Sequence, residues 1–272
     1  MARGIALNIG LNEVDPNHYR DGKGDPWPGT LAACENDARD MAALAGELGY
    51  EVRGPLLTSA AHSTAVIEQL RTAAADLESG DIFFMTYSGH GGQVVNTNPD
   101  DDPEEDKLDE TWCLFDRELL DDELFSLLSE FRSGVRVVLF SDSCHSGTVA
   151  RGEPPLDESA KPRQLPFDVA EATERANAAL YDSLQKDTPT KRLTPMPATV
   201  VLLSGCQDHQ FSRDGRVNGA FTGALLKAWE DAGARRSLDT LLKATSAGIP
   251  TQFDQTPNYS VYCFALGPPL VV

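Results

Sequence analysis

The sequence predicts an α/β protein: a wound, mostly parallel sheet of six or more strands with helices on both faces. Short β-branched and aromatic runs alternate along the 272 residues with longer stretches of helical spacing, and no internal repeat interrupts them. Two of the apolar runs end in small, polar, glycine-containing clusters. One is Asp81-Ile82-Phe83-Phe84-Met85-Thr86-Tyr87-Ser88-Gly89-His90-Gly91-Gly92. The other is Val135-Arg136-Val137-Val138-Leu139-Phe140-Ser141-Asp142-Ser143-Cys144-His145-Ser146-Gly147. As parallel neighbours, the two strands would open both tips onto the carboxyl edge of the sheet, where open α/β folds hold their ligands.

Taken in order, residues 4–10 read as a first buried strand, followed by a polar loop containing Pro and Gly over residues 12–29. Ala38, Met41, Ala42, Ala45 and Leu48 recur at helical spacing and stop at Gly49. A short strand near Val52 precedes a helix whose apolar face is Val66, Ile67, Leu70, Ala74 and Leu77, with Ser63 as its expected cap. After the His90 strand, residues 96–110 form an acidic loop. A helix then opens at Asp121-Asp122-Glu123 and buries Leu124, Leu127, Leu128 and Phe131 ahead of the Cys144 strand. Residues 151–197 are rich in Pro and basic side chains and read as a long exposed connection, with one helical patch over 169–184. Residues 198–204 resume as a core strand. Helices follow around Phe221, Leu225, Leu226 and Trp229 and around Leu238, Leu241 and Leu242, and residues 259–266 make a last strand.

The hydrophobic fraction of 41% suits one globular domain. A net charge of −19 argues against nucleic acid and anionic membranes as partners and suits a cationic substrate. Five widely spaced cysteines make neither a disulfide framework nor a CxxC zinc pair. No signal peptide and no run of about 20 apolar residues is present, so a reducing cytoplasm that keeps Cys144 free is expected.

A Cys on one strand tip and a His on the other make a nucleophile and its base. A thiol with a pKa near 8.5 is mostly protonated at neutral pH, so Cys144 needs His90 to take its proton and later pass it to the departing amine. His145 is the less apt base, because adjacent residues of an extended chain point to opposite faces. The same alternation sets Asp142 on the face of Cys144, and Ser88 on that of His90.

Tyr87-Ser88-Gly89-His90-Gly91 and Asp142-Ser143-Cys144-His145-Ser146-Gly147 resemble the two catalytic motifs of the metacaspases, caspase-like cysteine peptidases. The likeness extends to Leu31-Ala32-Ala33-Cys34-Glu35-Asn36-Asp37-Ala38, with Ala33 where the family has Gly, and to Asp109-Glu110-Thr111. It continues through Ser204-Gly205-Cys206-Gln207-Asp208-His209-Gln210 and Gly219-Ala220-Phe221-Thr222. The resemblance implies a caspase-like fold in one domain, residues 1–272, read as a catalytic domain without a prodomain. Within it, residues 1–150 would be large-subunit-like, residues 151–197 the exposed linker, and residues 198–272 small-subunit-like.

It further implies a cysteine endopeptidase with a His90–Cys144 dyad and an oxyanion hole at the backbone N–H groups of Gly91 and Cys144. An acidic pocket of Cys34, Asp37, Ser88 and Asp142 would take Arg or Lys of a polypeptide substrate. A monomer without an organic cofactor is expected. Calcium is implied through Asp109, Asp121 and Asp122, but the fourth ligand position is Arg151, which should weaken the site. Asp121 and Asp122 equally suit a helix start. Two rivals remain at this level: an Asp-specific caspase, which would want Arg where this pocket has Asp, and an idle caspase-like binding module. Self-processing is expected in the linker. The dibasic Lys191-Arg192 is the first choice and Lys186 the second, with Arg163 disfavoured by Pro162 and Pro166.

Overall fold

The computed structural model describes residues 2–97, 108–144, 160–190, 194–207, 210–233, 235 and 237–262. Among the described residues ten strands run in chain order as β1 (Gly4–Gly10), β2 (Glu51–Val52), β3 (Leu56–Leu57), β4 (Ile82–Ser88), β5 (Gly91–Val95), β6 (Leu108–Cys113), β7 (Glu118–Leu120), β8 (Arg136–Asp142), β9 (Thr199–Ser204) and β10 (Asn258–Tyr262). The helices are α1 (Cys34–Glu47), α2 (Ser63–Asp76), α3 (Asp121–Ser129), α4 (Phe167–Ala176), α5 (Ala178–Asp187), α6 (Ala220–Trp229) and α7 (Leu238–Gly248).

The main sheet has the order β10-β9-β8-β4-β1-β2, with β3 also pairing β1. All its pairings are parallel except that of β10 with β9. Alternation along the strands divides the core. Ile5, Leu7, Ile9, Phe83, Met85 and Tyr87 pack with residues of α2 and α3, while Ala6 and Phe84 pack with residues of α1, α6 and α7. Helices therefore cover both faces, as expected of a parallel sheet. The chain leaves β1 toward β2 on one side and returns to β4 on the other. The crevice at that reversal is where the tips of β1, β4 and β8 face outward.

Several local expectations are corrected. Ser63 is the first residue of α2 and not its cap; its N–H and hydroxyl both donate to the Asp116 carboxylate, at 2.7 and 2.8 Å. The acidic stretch ends in strand: Leu108–Cys113 lies between β5 and β7 in a small antiparallel sheet that alternation alone did not reveal. The segment read as an exposed linker is, over residues 160–190, largely docked. Ala160, Arg163, Leu165, Val169, Tyr181 and Gln185 are buried, and the single helical patch is two helices broken at Asn177. Leu165 and Val169 close a cluster with Val14, Tyr19 and Cys113, which repays the ordering of this stretch. Residues 151–159 and 263–266 lie outside the described residues.

Candidate active site

β4 and β8 pair in parallel with Ser88 opposite Asp142, so the two polar clusters emerge side by side. The backbone around His90 is tied to the core. Its carbonyl accepts from Tyr87 Oη at 2.7 Å and from Cys113 N at 3.0 Å, and the Tyr87 ring stacks on Trp112 with centroids 4.4 Å apart. His90 Nε2 lies 2.8 Å from the Gly29 carbonyl. A carbonyl only accepts, so Nε2 carries the proton and Nδ1 is the bare, basic nitrogen. Among the described residues Nδ1 is buried without a hydrogen-bond partner. Burial pushes the imidazole down to about 4, against the opposing pull of the Gly29 carbonyl and Asp214. His90 is therefore neutral at physiological pH.

Cys144 is buried, and its Sγ accepts from Ser212 N at 2.6 Å. Burial pushes the thiol well up, Cys206 adds to that, and only the Ser212 N–H opposes it among the leading causes. The two groups thus stand as neutral thiol and neutral imidazole, the state that precedes a proton transfer.

Residues 161–165 thread between them as an added strand. Asp214 N donates to Lys161 O at 2.8 Å and Arg163 N to Ser212 O at 2.9 Å, an antiparallel pairing in which Pro162 needs no N–H. The Arg163 carbonyl accepts from both Gly91 N and Cys144 N, each at 3.1 Å. Beyond it, Leu165 N donates to Gly91 O at 2.7 Å. The Arg163–Gln164 bond is thus presented where two N–H groups converge on the carbonyl oxygen, and the Gln164 backbone is close enough to raise the His90 pKa.

The Arg163 side chain is 0% exposed. Its Nη1 donates to Ser88 Oγ at 2.8 Å and pairs with Asp142 Oδ2 at 2.8 Å. Its Nη2 donates to Asp37 Oδ2 at 2.7 Å and Asp214 Oδ1 at 2.9 Å. The carboxylates are themselves held. Gly219 N donates to Asp37 at 3.0 Å, Thr222 N and Oγ1 donate to Asp142 at 3.1 and 2.7 Å, and Ser212 Oγ also donates to Asp142. Ala32 N donates to Asp214 at 2.7 Å. Burial pushes Asp37 up to about 6 even with Arg163 beside it, because the Asp142 carboxylate is close and one guanidinium serves three acids. Cys34 is buried nearby, its thiol pushed up by desolvation and opposed by Arg163.

A sequence model described as "Caspase domain" matches residues 3–264. The chain belongs to the caspase-domain family. Curated relatives include Metacaspase-1A of Aspergillus fumigatus, 28% identical over 270 residues covering 85% of this chain and 65% of that protein. Metacaspase-1 of Schizosaccharomyces pombe is 28% identical over 300 residues, covering 94% and 66%. The chain thus spans about two thirds of the length of these relatives. Among solved structures, protein GSU0716 from Geobacter sulfurreducens is 47% identical with a TM-score of 0.83, covering 97% of this chain and 94% of that one. Caspase-1 from Spodoptera frugiperda shares the fold at a TM-score of 0.55 and 14% identity, covering 95% and 86%.

In this caspase domain the structure brings His90, Gly91, Cys144, Asp37, Ser88 and Asp142 together around one segment. Asp214, Ser212 and Gly29 complete the site and were missed by sequence reasoning, since they lie in irregular loops without a local pattern; Gly219, the N-cap of α6, belonged to a segment of the family likeness but was given no role. The basic residues named for self-processing are placed differently from one another. Lys186 is an exposed residue on α5, whereas Arg163, disfavoured for its flanking prolines, fills the pocket. Lys191 and Arg192 lie outside the described residues. Pro166 does not obstruct; it is the N-cap of α4. Asp109 is buried on β6, and Asp121 and Asp122 open α3, with Asp122 N donating to Asp121 Oδ1 at 2.9 Å. Among the described residues no three His, Cys, Asp or Glu side chains gather as a metal site, and Arg151 lies outside them. No described helix is long and apolar enough to cross a membrane.

Proposed function

We propose that this protein is a cysteine endopeptidase that cleaves polypeptides after Arg or Lys, and that its own Arg163–Gln164 bond is its first substrate. One observation carries the reading. The chain's own Arg163 lies with its cation among acidic side chains and its carbonyl oxygen 3.1 Å from both Gly91 N and Cys144 N.

Cys144 Sγ would attack the Arg163 carbonyl carbon while its proton passes to His90 Nδ1. The oxyanion that forms is stabilised by the two N–H groups already directed at it. His90 then returns the proton to the Gln164 nitrogen as the C–N bond breaks. A water then attacks the resulting thioester while giving a proton to His90, and the C–S bond breaks as His90 returns that proton to Cys144 Sγ, leaving an Arg163 carboxylate and the free thiol. The Gly29 carbonyl keeps the proton of His90 on Nε2 throughout, so that Nδ1 does this work.

An Asp-specific caspase is disfavoured because the pocket has three carboxylates and would repel an acidic side chain. An idle module is disfavoured because thiol, base and oxyanion donors are all retained. Turnover of a fluorogenic Lys-Pro-Arg peptide by the wild-type protein, lost in Cys144→Ala, tests the proposal. Turnover by neither protein would overturn it.

A further inference from the structure

We infer that Cys206 is a resolving cysteine for the nucleophile: when a peroxide oxidises Cys144, Cys206 captures it as a disulfide and silences the enzyme reversibly. The silencing rests on the peptidase reading above; the bridge itself does not. Cys206 belongs to a segment after β9 that the catalytic steps leave unused. Ser141 of β8 lies opposite Ser204 of β9, and Gly205 N donates to Ser141 O at 2.8 Å, so the pairing runs on past both strand ends. Cys144 and Cys206 follow there, side by side. Adjacent strands lie about 4.8 Å apart, inside the Cα separations of roughly 4.4–6.8 Å that a disulfide spans. The side chains meet as well. Cys206 is within hydrogen-bonding reach of the Cys144 thiol, and its own Sγ donates to the carbonyl of Ser143, the residue before the nucleophile, at 3.6 Å.

Both thiols are buried and unbridged. Among the described cysteines the pairing is selective. Cys34 sits by Arg163, Asp214, Asp37 and Ser88, and Cys113 lies on β6 by Glu118 and Tyr19. A buried cysteine usually serves as a small apolar filler. Cys206 differs in touching the sulfur that the mechanism turns into a thiolate. That thiolate, formed as His90 takes the proton, is the species a peroxide oxidises. The O–O bond breaks, Cys144 becomes a sulfenic acid, and the departing hydroxide takes the His90 proton to become water. The Cys206 thiol then attacks the sulfenic sulfur. An S–S bond forms, the S–O bond breaks, and the hydroxyl leaves as water with the Cys206 proton. In sum, two thiols and one peroxide give a disulfide and two waters. A dithiol reductant exchanges with the bridge, is itself oxidised to a disulfide, and returns both thiols. Without Cys206 beside it, the sulfenic acid goes on to sulfinic acid, which dithiols do not reduce.

The test treats full-length wild type and full-length Arg163→Ala, whose pocket holds no guanidinium, with a small excess of hydrogen peroxide. The same two proteins carrying Cys206→Ala or Cys206→Ser are treated alongside, and thermal melting shows which variants are folded. Non-reducing peptide mapping should find the Cys144 and Cys206 peptides joined, two hydrogens lighter than the reduced pair. Turnover of the Lys-Pro-Arg peptide should be lost on treatment and largely restored by dithiothreitol. Either Cys206 variant should cleave the peptide before treatment, then carry a sulfinic Cys144 after it and recover roughly tenfold less activity with dithiothreitol. Cys144 left as a free thiol, bridged to Cys34, or converted to sulfinic acid with Cys206 present would overturn the inference. So would equal recovery with and without Cys206. Absence of turnover by untreated wild type would overturn the peptidase reading instead, and the peptide map would still decide the bridge.

Discussion

The carbonyl oxygen of Arg163 lies 3.1 Å from the backbone nitrogen of Cys144, and Gly91 N approaches the same oxygen at 3.1 Å. The residue that follows the two strand tips in sequence has thus returned to lie between them. It arrives as a substrate would, extended and paired with the 212–214 segment.

Self-cleavage should therefore occur between Arg163 and Gln164, giving fragments 1–163 and 164–272. Intact masses of active protein beside Cys144→Ala would show it, and Arg163→Gln should stay whole. The fragments should co-elute without denaturant, because β9 from the second pairs along its length with β8 from the first. A first cut after Lys186, Lys191 or Arg192 would contradict this assignment.

The acid limb of self-cleavage should be set by the pocket and not by the base. Burial pushes Asp37 up to about 6 with Arg163 docked, the guanidinium opposing the rise. As pH falls through about 6, Asp37 takes a proton, the pocket loses negative charge and Arg163 is held less well. His90, pushed down to about 4, is still unprotonated there. A rate profile falling near pH 6 is expected; one that stays level to about pH 4 would assign the limb to His90.

Arg163 in its pocket should shield the nucleophile. Cys144 is buried and its thiol pKa is pushed well up, so alkylation by iodoacetamide should be slow in uncut protein. Arg163→Ala should speed modification of Cys144 by roughly tenfold or more, read by peptide mass mapping against buried Cys34, Cys113 and Cys206. Equal rates in the two proteins would mean the segment does not guard the thiol.

Gly29→Ala should impair catalysis far more than stability. Gly29 has φ +56°, and a Cβ there would come 2.5 Å from the Trp27 ring and 3.2 Å from the His90 ring. Displacing this residue moves the carbonyl that holds Nε2, so a loss of about 100-fold in kcat is expected, at the scale of general-base catalysis. A variant with unchanged kcat would show that the Gly29 carbonyl does not position the base.

Much of this molecule was legible in the residues alone. The β-branched runs at 4–10, 82–88, 136–142 and 199–204 became parallel core strands because burial on both faces writes itself as continuous apolarity. The His90 and Cys144 clusters could be read because polar, glycine-rich tips on core strands have no packing role. Asp37, Ser88 and Asp142 came with the family resemblance, and alternation on the strand ends supported the last two.

What only the tertiary structure decided concerns contacts between distant irregular segments. Arg163 looked like a linker residue beside prolines, yet Pro162 occupies a position where no N–H is required, and Leu165 and Val169 find an apolar cluster that only the folded chain assembles. Asp214 and Gly219 carry no periodic signal, since loop backbones obey no repeat. Their roles follow from where a guanidinium 51 residues from Asp214 comes to rest. Local pattern determines which residues form strands and helices; the meeting of loops depends on long-range closure, which a one-dimensional pattern does not encode.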